Sequence, residues 1–561
     1  MKKWEIKEQN TEKIEEISNK YSLSKIVAEI LVKRNILDEE KIQTFLNPTR
    51  NDFHDPMLIN DMEKAVDRII QAIDKKENVT IYGDYDVDGI TSTSILKMFL
   101  EERGLNCNVY IPNRLEEGYG LNIKAIDKIK NNGTTLIITV DCGITANKEI
   151  EYANECGIET IVTDHHEPTE ILPNAYAVID NKRKDSKYPF RELAGVGVVF
   201  KVIQAICIKL NLSAENYLKY LDIVCVGTIS DIVPLVDENR IITKLGMMLV
   251  KQTRNFGLRA IINKSGYKKI DSTAISFGVA PRINACGRMG LANIGLNLFL
   301  SKDIKEIDEL SDLLNTHNKA RQDEEKKIFD EAISKIEKEG MENRRTIVVA
   351  NEGWHHGVIG IVSSKITEKY FKPSILLCLD EDIGKGSGRS IAGFNIHEAL
   401  SRCTQSVESF GGHSMAIGIA IKKERIEELA EAFENQAKIS QTEKIHQVIQ
   451  IDAEQKISDL TIETVNELEK LEPYGEANPM PNFMIKNVKI DGIRQLSDGK
   501  HIKLILRDGT NALEAIGFNM GNIFSTYILG DIVDVVGTIT INEYNNKTSI
   551  QLLLKDIKKS F

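Results

Sequence analysis

Short β-branched runs alternate with helical patterns between residues 60 and 180 of this 561-residue chain. Amphipathic patterns such as Met62–Lys75 and Ile90–Leu100 separate apolar runs that are short enough to be strands. Those runs are Val79–Tyr82, Val109–Ile111, Leu136–Val140, Ile158–Thr163 and Ala177–Ile179. Strands that alternate with helices favour a mostly parallel sheet covered by helices on both faces. The sequence therefore predicts a doubly wound α/β domain over residues 61–240.

Helical patterns dominate the segments on either side of this domain. Residues 1–60 read as an N-terminal helical segment that ends among Pro48 and Pro56. Residues 241–340 read as a helical connector. Within it, residues 303–339 place apolar side chains at helical spacing and contain neither Pro nor Gly, which predicts one long helix that links two domains.

Two further domains are expected after the long helix. Strand-like runs at Arg345–Ala350 and Ser374–Leu379 predict a second, smaller α/β domain over 341–440. The final segment, 441–561, contains five strand patterns separated by turn signals such as Asp508-Gly509. They are Val488–Ile493, Ile502–Leu506, Ala512–Phe518, Ile532–Ile541 and Thr548–Leu554. Five short strands predict a small β-barrel of the OB type.

The composition of the chain indicates its cellular compartment more clearly than it indicates the class of ligand. Eight cysteines are scattered singly without a Cys-x-x-Cys pair, which argues for a reducing compartment and against thiolate zinc sites or disulfides. The chain begins with charged residues, and no run approaches the length of a membrane span. We therefore expect a cytoplasmic protein with no membrane association. The net charge of −11 disfavours nucleic acid only weakly, because a groove can be locally basic.

Carboxylates and histidines follow the predicted strands. Asp84, Asp86 and Asp88 come after the first strand, and Asp141 comes after Leu136–Val140. Asp164-His165-His166 follows Ile158–Thr163, and Asp231 follows the apolar run 226–230, which we take as a further strand end. The carboxyl ends of strands in an open α/β sheet line one crevice. The pattern therefore predicts that these side chains converge.

Carboxylate and imidazole ligands suit Mn²⁺ or a related divalent ion, and this set is large enough for two ions. Asp84–Gly89 also resembles the start of a calcium loop, but Ile95 stands where that loop needs Glu, so calcium is not expected. Helix capping is the alternative for Asp88 or Asp141 taken alone. A metal site accounts for the whole set, whereas capping accounts for single members.

The order Asp-x-Asp, Asp, Asp-His-His, Asp resembles the DHH phosphoesterase superfamily. Within it, Gly83–Gly89 and Gly227–Leu235 resemble the RecJ family of single-strand-specific 5′→3′ exonucleases. Members that act on small substrates often carry His four residues before the first Asp; Thr80 stands there in this chain, which argues against the pyrophosphatase branch and removes one ligand.

The resemblance implies a role for each residue of the set. It implies a catalytic centre with two Mn²⁺ or Mg²⁺ ions held by Asp84, Asp86, Asp141, His165 and Asp231, with Asp141 as the bridge. It implies that His166 contacts the phosphate or the departing 3′ oxygen and that Asp164 orients a histidine. Asp88 stays open as a ligand, a supporting carboxylate or a cap.

Glycine-rich and basic segments in the second half resemble the DHHA1 domain of the same family. They are Pro281–Gly290, Trp354–Gly360, Gly386–Ser390 and Gly411–His413. Glycine lets backbone N–H groups approach a phosphate, and arginine binds its oxygens in pairs. Taken singly, each segment is also compatible with an ordinary loop or cap. The resemblance implies a phosphate- or DNA-binding role for Arg282, Arg288, His355, His356, Ser387, Arg389, Gly412 and His413.

The implied activity is metal-dependent 5′→3′ degradation of single-stranded DNA to 5′-mononucleotides in repair and recombination. The resemblance suggests a helicase and a single-strand-binding protein as partners, and a monomer is the default oligomeric state. Two other functions stay open: a phosphodiesterase of the same superfamily acting on short oligoribonucleotides or nucleotides, and a non-catalytic single-strand-binding scaffold. The C-terminal barrel either binds the strand or serves domain packing.

Overall fold

A computed structural model of the chain describes residues 2–8, 10–114, 116–403, 407–440, 446–544 and 547–560. The strands are Lys3–Ile6 (β1), Val79–Gly83 (β2), Cys107–Tyr110 (β3), Leu136–Val140 (β4), Glu159–Asp164 (β5), Ala177–Asp180 (β6), Ile347–Glu352 (β7), Ser374–Asp380 (β8), Ile383–Arg389 (β9), Ser409–Gly412 (β10), Ala416–Lys422 (β11), Val448–Ile451 (β12), Ala453–Glu454 (β13), Phe483–Leu496 (β14), His501–Asp508 (β15), Asn511–Gly517 (β16), Ile532–Tyr544 (β17) and Lys547–Lys559 (β18).

The α-helices are Thr11–Tyr21 (α1), Lys25–Lys33 (α2), Glu39–Leu46 (α3), Met62–Lys75 (α4), Val87–Glu101 (α5), Ile123–Asn131 (α6), Asn147–Glu155 (α7), Gly195–Lys209 (α8), Glu215–Leu218 (α9), Leu221–Ser230 (α10), Asp237–Val250 (α11), Phe256–Ser265 (α12), Ala280–Arg288 (α13), Ala292–Leu300 (α14), Ile304–Lys338 (α15), His356–Tyr370 (α16), Ile396–Ser401 (α17), Ile426–Ser440 (α18) and Ile462–Glu467 (α19). A π-helical segment, Ala274–Val279, precedes α13. Within the described part of the chain, no helix combines the length and apolar character that crossing a bilayer requires.

The first sheet is fully parallel, with the strand order β3-β2-β4-β5-β6. Helices α6 and α7 pack on one face, and α4, α5 and α8 pack on the other. The chain leaves β2 toward β3 on one side and returns to β4 on the other, so the topological switch point lies between β2 and β4. The predicted doubly wound domain is confirmed. In such a sheet, ligands bind at the switch point beyond the carboxyl ends of the strands.

The chain divides into two compact units, and the second contains residues 113–118 and 281–447. The predicted long helix is confirmed as α15, which spans 35 residues. A five-stranded sheet follows in the order β10-β11-β9-β8-β7, in which only β7 and β8 are parallel. Helices α15 and α16 cover one face of this sheet, while α17 and α18 cover the other. The predicted smaller α/β domain is thereby confirmed.

The C-terminal strands β14–β18 form a closed barrel because β14 pairs with both β15 and β17. The predicted OB-like barrel is confirmed. Its core continues into the N-terminal helices: Ile30 and Leu31 of α2 lie in the same apolar cluster as Phe483 and Leu504. Strand β1 also pairs in parallel with β12, with Lys3 opposite Val448. The N-terminal segment is therefore not purely helical, and it packs with the end of the chain.

Arg240 of α11 joins three parts of the first unit, which contains residues 1–112, 119–280 and 448–561. Its side chain is almost fully buried, and its guanidinium stacks 3.4 Å from the ring centroid of Phe45. Nε donates to the Phe45 carbonyl at 2.7 Å, and Nη2 donates to the carbonyls of Leu471 and Glu472 at 3.2 Å. The sequence predicts a domain boundary between residues 240 and 241. A boundary there would cut α11, because this helix spans Asp237–Val250.

Candidate metal centre and phosphate-binding residues

Asp141 stands directly after β4 in a left-handed backbone conformation, with φ of 59°. Asp is one of the few residues with a side chain that visits this region readily. Its N–H donates to the Thr163 carbonyl at 3.0 Å, which ties the turn to the neighbouring strand. A Cβ atom at Gly195, the first residue of α8, would lie 2.6 Å from Asp141 Oδ1. Glycine at 195 therefore leaves the room that the Asp141 carboxylate occupies.

The predicted acidic residues and histidines converge beyond the sheet. Three groups of ligand atoms each lie within 4.8 Å of one another: Asp84, Asp86 and Asp141; Asp88, His165 and Asp231; Asp141, His165 and His166. Asp141 and His165 each belong to two groups. His165 Nε2 lies 3.1 Å from Asp141 Oδ1, 3.6 Å from Asp231 Oδ2 and 3.8 Å from Asp88 Oδ2.

Asp231 reaches this cluster from an unexpected element. The prediction that it ends a strand is wrong, because residues 221–230 form α10 and Asp231 caps that helix. Helix α10 is buried on all sides from Leu221 to Ile229. A helix that is apolar all round lacks the periodicity that separates it from a buried strand. The carboxylate still lies where the pattern predicted.

Three ligand atoms of the cluster are available to coordinate a metal cation. Asp141 Oδ1, Asp231 Oδ2 and His165 Nε2 are buried and, among the described residues, form no hydrogen bond. Burial, followed by the charges of neighbouring carboxylates, raises the pKa of Asp141 and Asp231 well above the usual range. Burial, followed by the nearby His166, lowers the pKa of His165 to about 3, so its imidazole is neutral. Clustered carboxylates beside a neutral imidazole fit a divalent metal ion.

Two aspartates of the cluster also hold helix N-termini. Asp86 is the N-cap of α5 and accepts a hydrogen bond from the Gly89 N–H at 3.0 Å. Asp88 accepts from the N–H groups of Gly195 and Val196 at 2.6 and 2.7 Å, at the start of α8. Burial, followed by the charge of Asp86, raises the pKa of Asp88 to about 7. Asp88 therefore does cap a helix, but that helix is α8, which begins more than a hundred residues further along the chain.

Asp164 fixes both histidines. Its Oδ1 atom lies 2.7 Å from His166 Nδ1 and accepts from the His165 N–H at 2.7 Å, while Oδ2 accepts from the Ile144 N–H at 2.9 Å. Burial opposes ionisation of Asp164, but the hydrogen bond and charge of His166 lower its pKa overall. Burial likewise opposes the charge on His166, but Asp164 raises the pKa of this histidine. The role of orienting a histidine, which the resemblance implies for Asp164, stays a prediction that these contacts support.

Sequence reasoning missed Tyr119. Its hydroxyl donates to the Asp141 carbonyl at 3.3 Å and lies 3.2 Å from His166 Nδ1. Its ring meets the His166 ring edge-on, with centroids 5.7 Å apart. The only signal is local, since Tyr119 stands between Gly118 and Gly120, both of which have positive φ. That pattern indicates a tight turn and does not indicate which residues the tyrosine contacts.

Ser387 and Arg389 lie in strand β9 of the second unit and not in a loop. Arg389 Nη1 donates to Ser387 Oγ at 2.7 Å and to the Gly388 carbonyl at 2.8 Å. Gly360 of α16 faces them, because a Cβ there would lie 3.3 Å from Arg389 Nη2 and 3.4 Å from Ser387 Oγ. Burial lowers the pKa of Arg389, and no described carboxylate pairs with it. A half-buried cation of this kind favours an anionic ligand.

Two of the other predicted phosphate-binding residues, Arg288 and His355, meet at Gly357 in the first turn of α16, one turn before Gly360. His355 is the N-cap of α16, and Arg288 Nη1 donates to the Gly357 carbonyl at 2.8 Å in the first turn of that helix. Burial, followed by the charge of Lys385, lowers the pKa of His356. Gly412 ends β10, with φ of 137°, and His413 follows it. Strand β11 lies between β10 and β9, so it separates Gly412 from Arg389.

Arg282 and Arg288 lie in α13, so the prediction of a glycine-punctuated loop over Pro281–Gly290 is wrong. Pro281 lies just after the π-helical segment Ala274–Val279, inside a continuous helical stretch, and the altered hydrogen-bond pattern of that segment accommodates a residue without an N–H. Arg282 Nε donates to Asn315 Oδ1 of α15 at 3.1 Å. The helix therefore directs Arg282 toward α15.

Models of three families match the chain. The DHH family N-terminal domain matches residues 78–228, the DHHA1 domain matches 343–439, and the RecJ OB domain matches 451–556. The single-stranded-DNA-specific exonuclease RecJ of Bacillus subtilis (strain 168) is 39% identical over 560 residues, which cover 99% of this chain and 70% of that protein.

Solved structures agree with these matches. The crystal structure of RecJ in complex with Mn²⁺ from Thermus thermophilus superposes with a TM-score of 0.87 and 27% identity, covering 100% of this chain and 80% of that one. A crystal structure of exonuclease RecJ bound to manganese shows 32% identity and a TM-score of 0.60 over 68% of this chain and 95% of that one. This chain belongs to the RecJ family of single-stranded-DNA-specific exonucleases.

Proposed function

We propose that this protein removes nucleotides from the 5′ end of single-stranded DNA and releases 5′-mononucleotides. The observation that carries the proposal is the convergence of buried carboxylates and a neutral histidine at the switch point of the first sheet. Asp84, Asp86, Asp141, His165 and Asp231 are the residues that would hold Mn²⁺ or Mg²⁺. Asp141 belongs to two of the three ligand groups, which supports a bridging role between two ions.

When bound, two such ions stabilise charge on the scissile phosphate and lower the pKa of the attacking water. The residues around them prepare the site. Asp164 holds the ring of His166 by Nδ1, and the His166 side chain stays 45% exposed. His166 can therefore donate a hydrogen bond to a phosphate oxygen or to the departing 3′ oxygen. Asp88 supports the site by fixing the start of α8 beside Asp141.

The second unit supplies phosphate recognition in this proposal. Ser387 and Arg389 bind a phosphate group of the strand, because Arg389 is a half-buried cation and its Nη1 atom is already oriented by Ser387. Guanidinium groups bind phosphate oxygens in pairs, which gives both energy and direction. Arg282, Arg288, His355, His356, Gly412 and His413 are proposed to contribute to the same task.

The cellular setting is also a proposal. Single-stranded DNA is the substrate, and a helicase and a single-strand-binding protein act beside the enzyme in DNA repair and recombination. A cytoplasmic location is supported by the eight cysteines, all of which are free thiols. We propose a monomer as the working state.

Product analysis on end-labelled oligonucleotides tests the proposal. Single-stranded and double-stranded substrates with a 5′ or a 3′ label are incubated with Mn²⁺ or with EDTA. Mononucleotides should appear first from the 5′ end of the single strand, and only with Mn²⁺. Hydrolysis of di- to pentanucleotides without cleavage of long strands would contradict the proposal and favour a small-substrate phosphodiesterase. Strand binding without any hydrolysis would contradict it in favour of a scaffold.

A further inference from the structure

Residues 229–342 lie between the matched DHH and DHHA1 domains, and none of the three family models covers them. Within this stretch, residues 251–280 of the helical connector carry a net positive charge, which is unusual in so acidic a chain. Asp271 is their one acidic residue, whereas the chain as a whole has a net charge of −11. The basic residues of the segment are Lys251, Arg254, Arg259, Lys264, Lys268 and Lys269.

A cleft of about 690 Å³ opens among these residues, at the end of α11 and along α12. Lys251, Arg259 and Lys268 line it together with polar groups such as Asn263, and no carboxylate lines it. Among the described residues, none of these three cations forms an ion pair with a carboxylate. The adjacent Lys269, by contrast, pairs with Glu469 and Glu472 at 2.8 and 2.9 Å. The cleft therefore concentrates uncompensated positive charge.

Exposed aromatic rings are interleaved with these cations. Phe256 is 47% exposed, Tyr267 is 40% exposed and Phe277 is 69% exposed. The Tyr267 ring packs on Gly278, because a Cβ there would lie 3.0 Å from a ring carbon. Exposure of an apolar phenylalanine ring to water is unfavourable. The bases of a single strand can stack on such rings and cover them. We call Lys251, Arg259, Lys268, Phe256, Tyr267 and Phe277 the connector surface.

We infer that the connector surface is a second binding site for single-stranded DNA, in addition to the metal centre. Its cations contact backbone phosphates, and its aromatic rings stack on bases. Unpaired cations alone would also suit an acidic peptide, but the Tyr267 ring in the same cleft and the Phe256 ring 5.8 Å from Arg259 favour nucleobases. The inference rests on the proposed function only for its choice of DNA as the ligand, because none of the six residues belongs to the metal centre.

The test measures strand binding without cleavage, using the full chain in EDTA and a labelled oligothymidine. The triple variant Lys251→Ala/Arg259→Ala/Lys268→Ala is compared with Lys3→Ala/Lys25→Ala/Lys41→Ala, which removes the same charge from exposed lysines elsewhere. The dependence of log Kd on log salt should become shallower by about 2 in the first variant, since each lost phosphate contact changes the slope by about 0.7. The control triple should keep the wild-type slope. An equal slope in both triples would overturn the inference.

Stacking is tested separately with Tyr267→Ala and Tyr267→Phe. The alanine variant should bind about tenfold more weakly, which corresponds to the loss of one stacked base. The phenylalanine variant should bind like the wild type, since it keeps the ring. Thermal unfolding shows whether each variant is folded, and equal binding by a folded Tyr267→Ala variant would overturn the stacking role. Displacement of the strand by a poly-glutamate peptide, with no effect of Tyr267→Ala, would instead favour an acidic protein partner and overturn the inference.

These measurements are independent of hydrolysis. If the wild-type chain fails to cleave strands with Mn²⁺ but the first triple still loses strand affinity in EDTA, the proposed function fails and the connector surface stands. If cleavage proceeds and both triples bind alike, the proposed function stands and the connector surface fails.

Discussion

His165 Nε2 lies 3.1 Å from Asp141 Oδ1, and the two residues come from the ends of the neighbouring strands β5 and β4. Each of them belongs to two of the three groups of ligand atoms. Neither atom has a hydrogen bond within the described chain, so both are available to a metal ion. A change at either residue should therefore affect the whole centre and not a single ligand position.

Asp141→Asn should abolish Mn²⁺-dependent cleavage while it stabilises the metal-free chain. Asn tolerates the left-handed backbone at this position, and the substitution removes one charge from a buried cluster of like charges. We expect a higher Tm in EDTA and the loss of the Tm increase that Mn²⁺ gives the wild type. Thermal unfolding with and without Mn²⁺, together with metal analysis of the purified protein, checks this.

Asp38→Asn is the matched control for that substitution. Asp38 is an exposed N-cap residue that forms no side-chain capping bond, so its replacement should change neither Tm nor metal content. A Mn²⁺-induced rise in Tm of wild-type size in Asp141→Asn would show that Asp141 does not hold the metal.

Gly195→Ala should lower the rate of cleavage by about a hundredfold, because the added Cβ would lie 2.6 Å from Asp141 Oδ1 and must displace that carboxylate. Gly197→Ala is the control on the same helix, since its Cβ would come no closer than 3.3 Å to any atom, with Leu193 and Ile242 as its neighbours. Rates are measured at saturating Mn²⁺ and single-stranded substrate. Equal rates in the two variants would contradict the role of Gly195 in making room for the ligand.

Tyr119→Phe should lower kcat by about fivefold and leave metal binding intact. The substitution removes one hydrogen bond to the Asp141 carbonyl and one polar neighbour of His166, and a bond of this kind contributes about 1 kcal/mol. Steady-state kinetics and a Mn²⁺ titration separate the two effects. A loss of metal affinity with an unchanged kcat would assign Tyr119 to the ligand shell and not to His166.

Ile232→Gly should raise the free energy of unfolding by about 1 kcal/mol. Ile232 is a β-branched residue with φ of 60° and a side chain that is 71% exposed, so it carries left-handed strain without compensating burial. Ile171→Gly is the control, since Ile171 is 76% exposed and is not among the residues with positive φ. Urea unfolding of both variants gives the comparison, and destabilisation of equal size in the two would contradict the strain.

The sheet around the metal centre was predictable because its strands are apolar throughout. Every residue of β2 and β4 is buried, and Leu136–Val140 was predicted with the bounds that the structure shows. The carboxylates that follow these strands converge because parallel strands present their carboxyl ends at one edge. This convergence can be predicted from the sequence because it depends only on the order of strands and on the residues that follow them.

Two elements escaped prediction for physical reasons. Helix α10 reads as a strand because all its sides are buried, and α13 reads as a loop because it contains Pro281 and Gly287. The contacts of Tyr119 with Asp141 and His166 depend on tertiary packing and not on local propensity. The roles assigned to the site residues remain predictions that the experiments above address.

The shared core of the N-terminal helices and the C-terminal barrel has a consequence for synthesis on the ribosome. Lys3 of β1 pairs with Val448 of β12. Strand β1 therefore cannot form its ladder until the ribosome has synthesised the chain as far as β12. At typical elongation rates this takes on the order of 20–90 s. During that time Ile30 and Leu31, which are fully buried in the finished protein, lack the barrel residues against which they pack. The nascent N-terminal segment therefore keeps these apolar side chains exposed until the barrel has been synthesised.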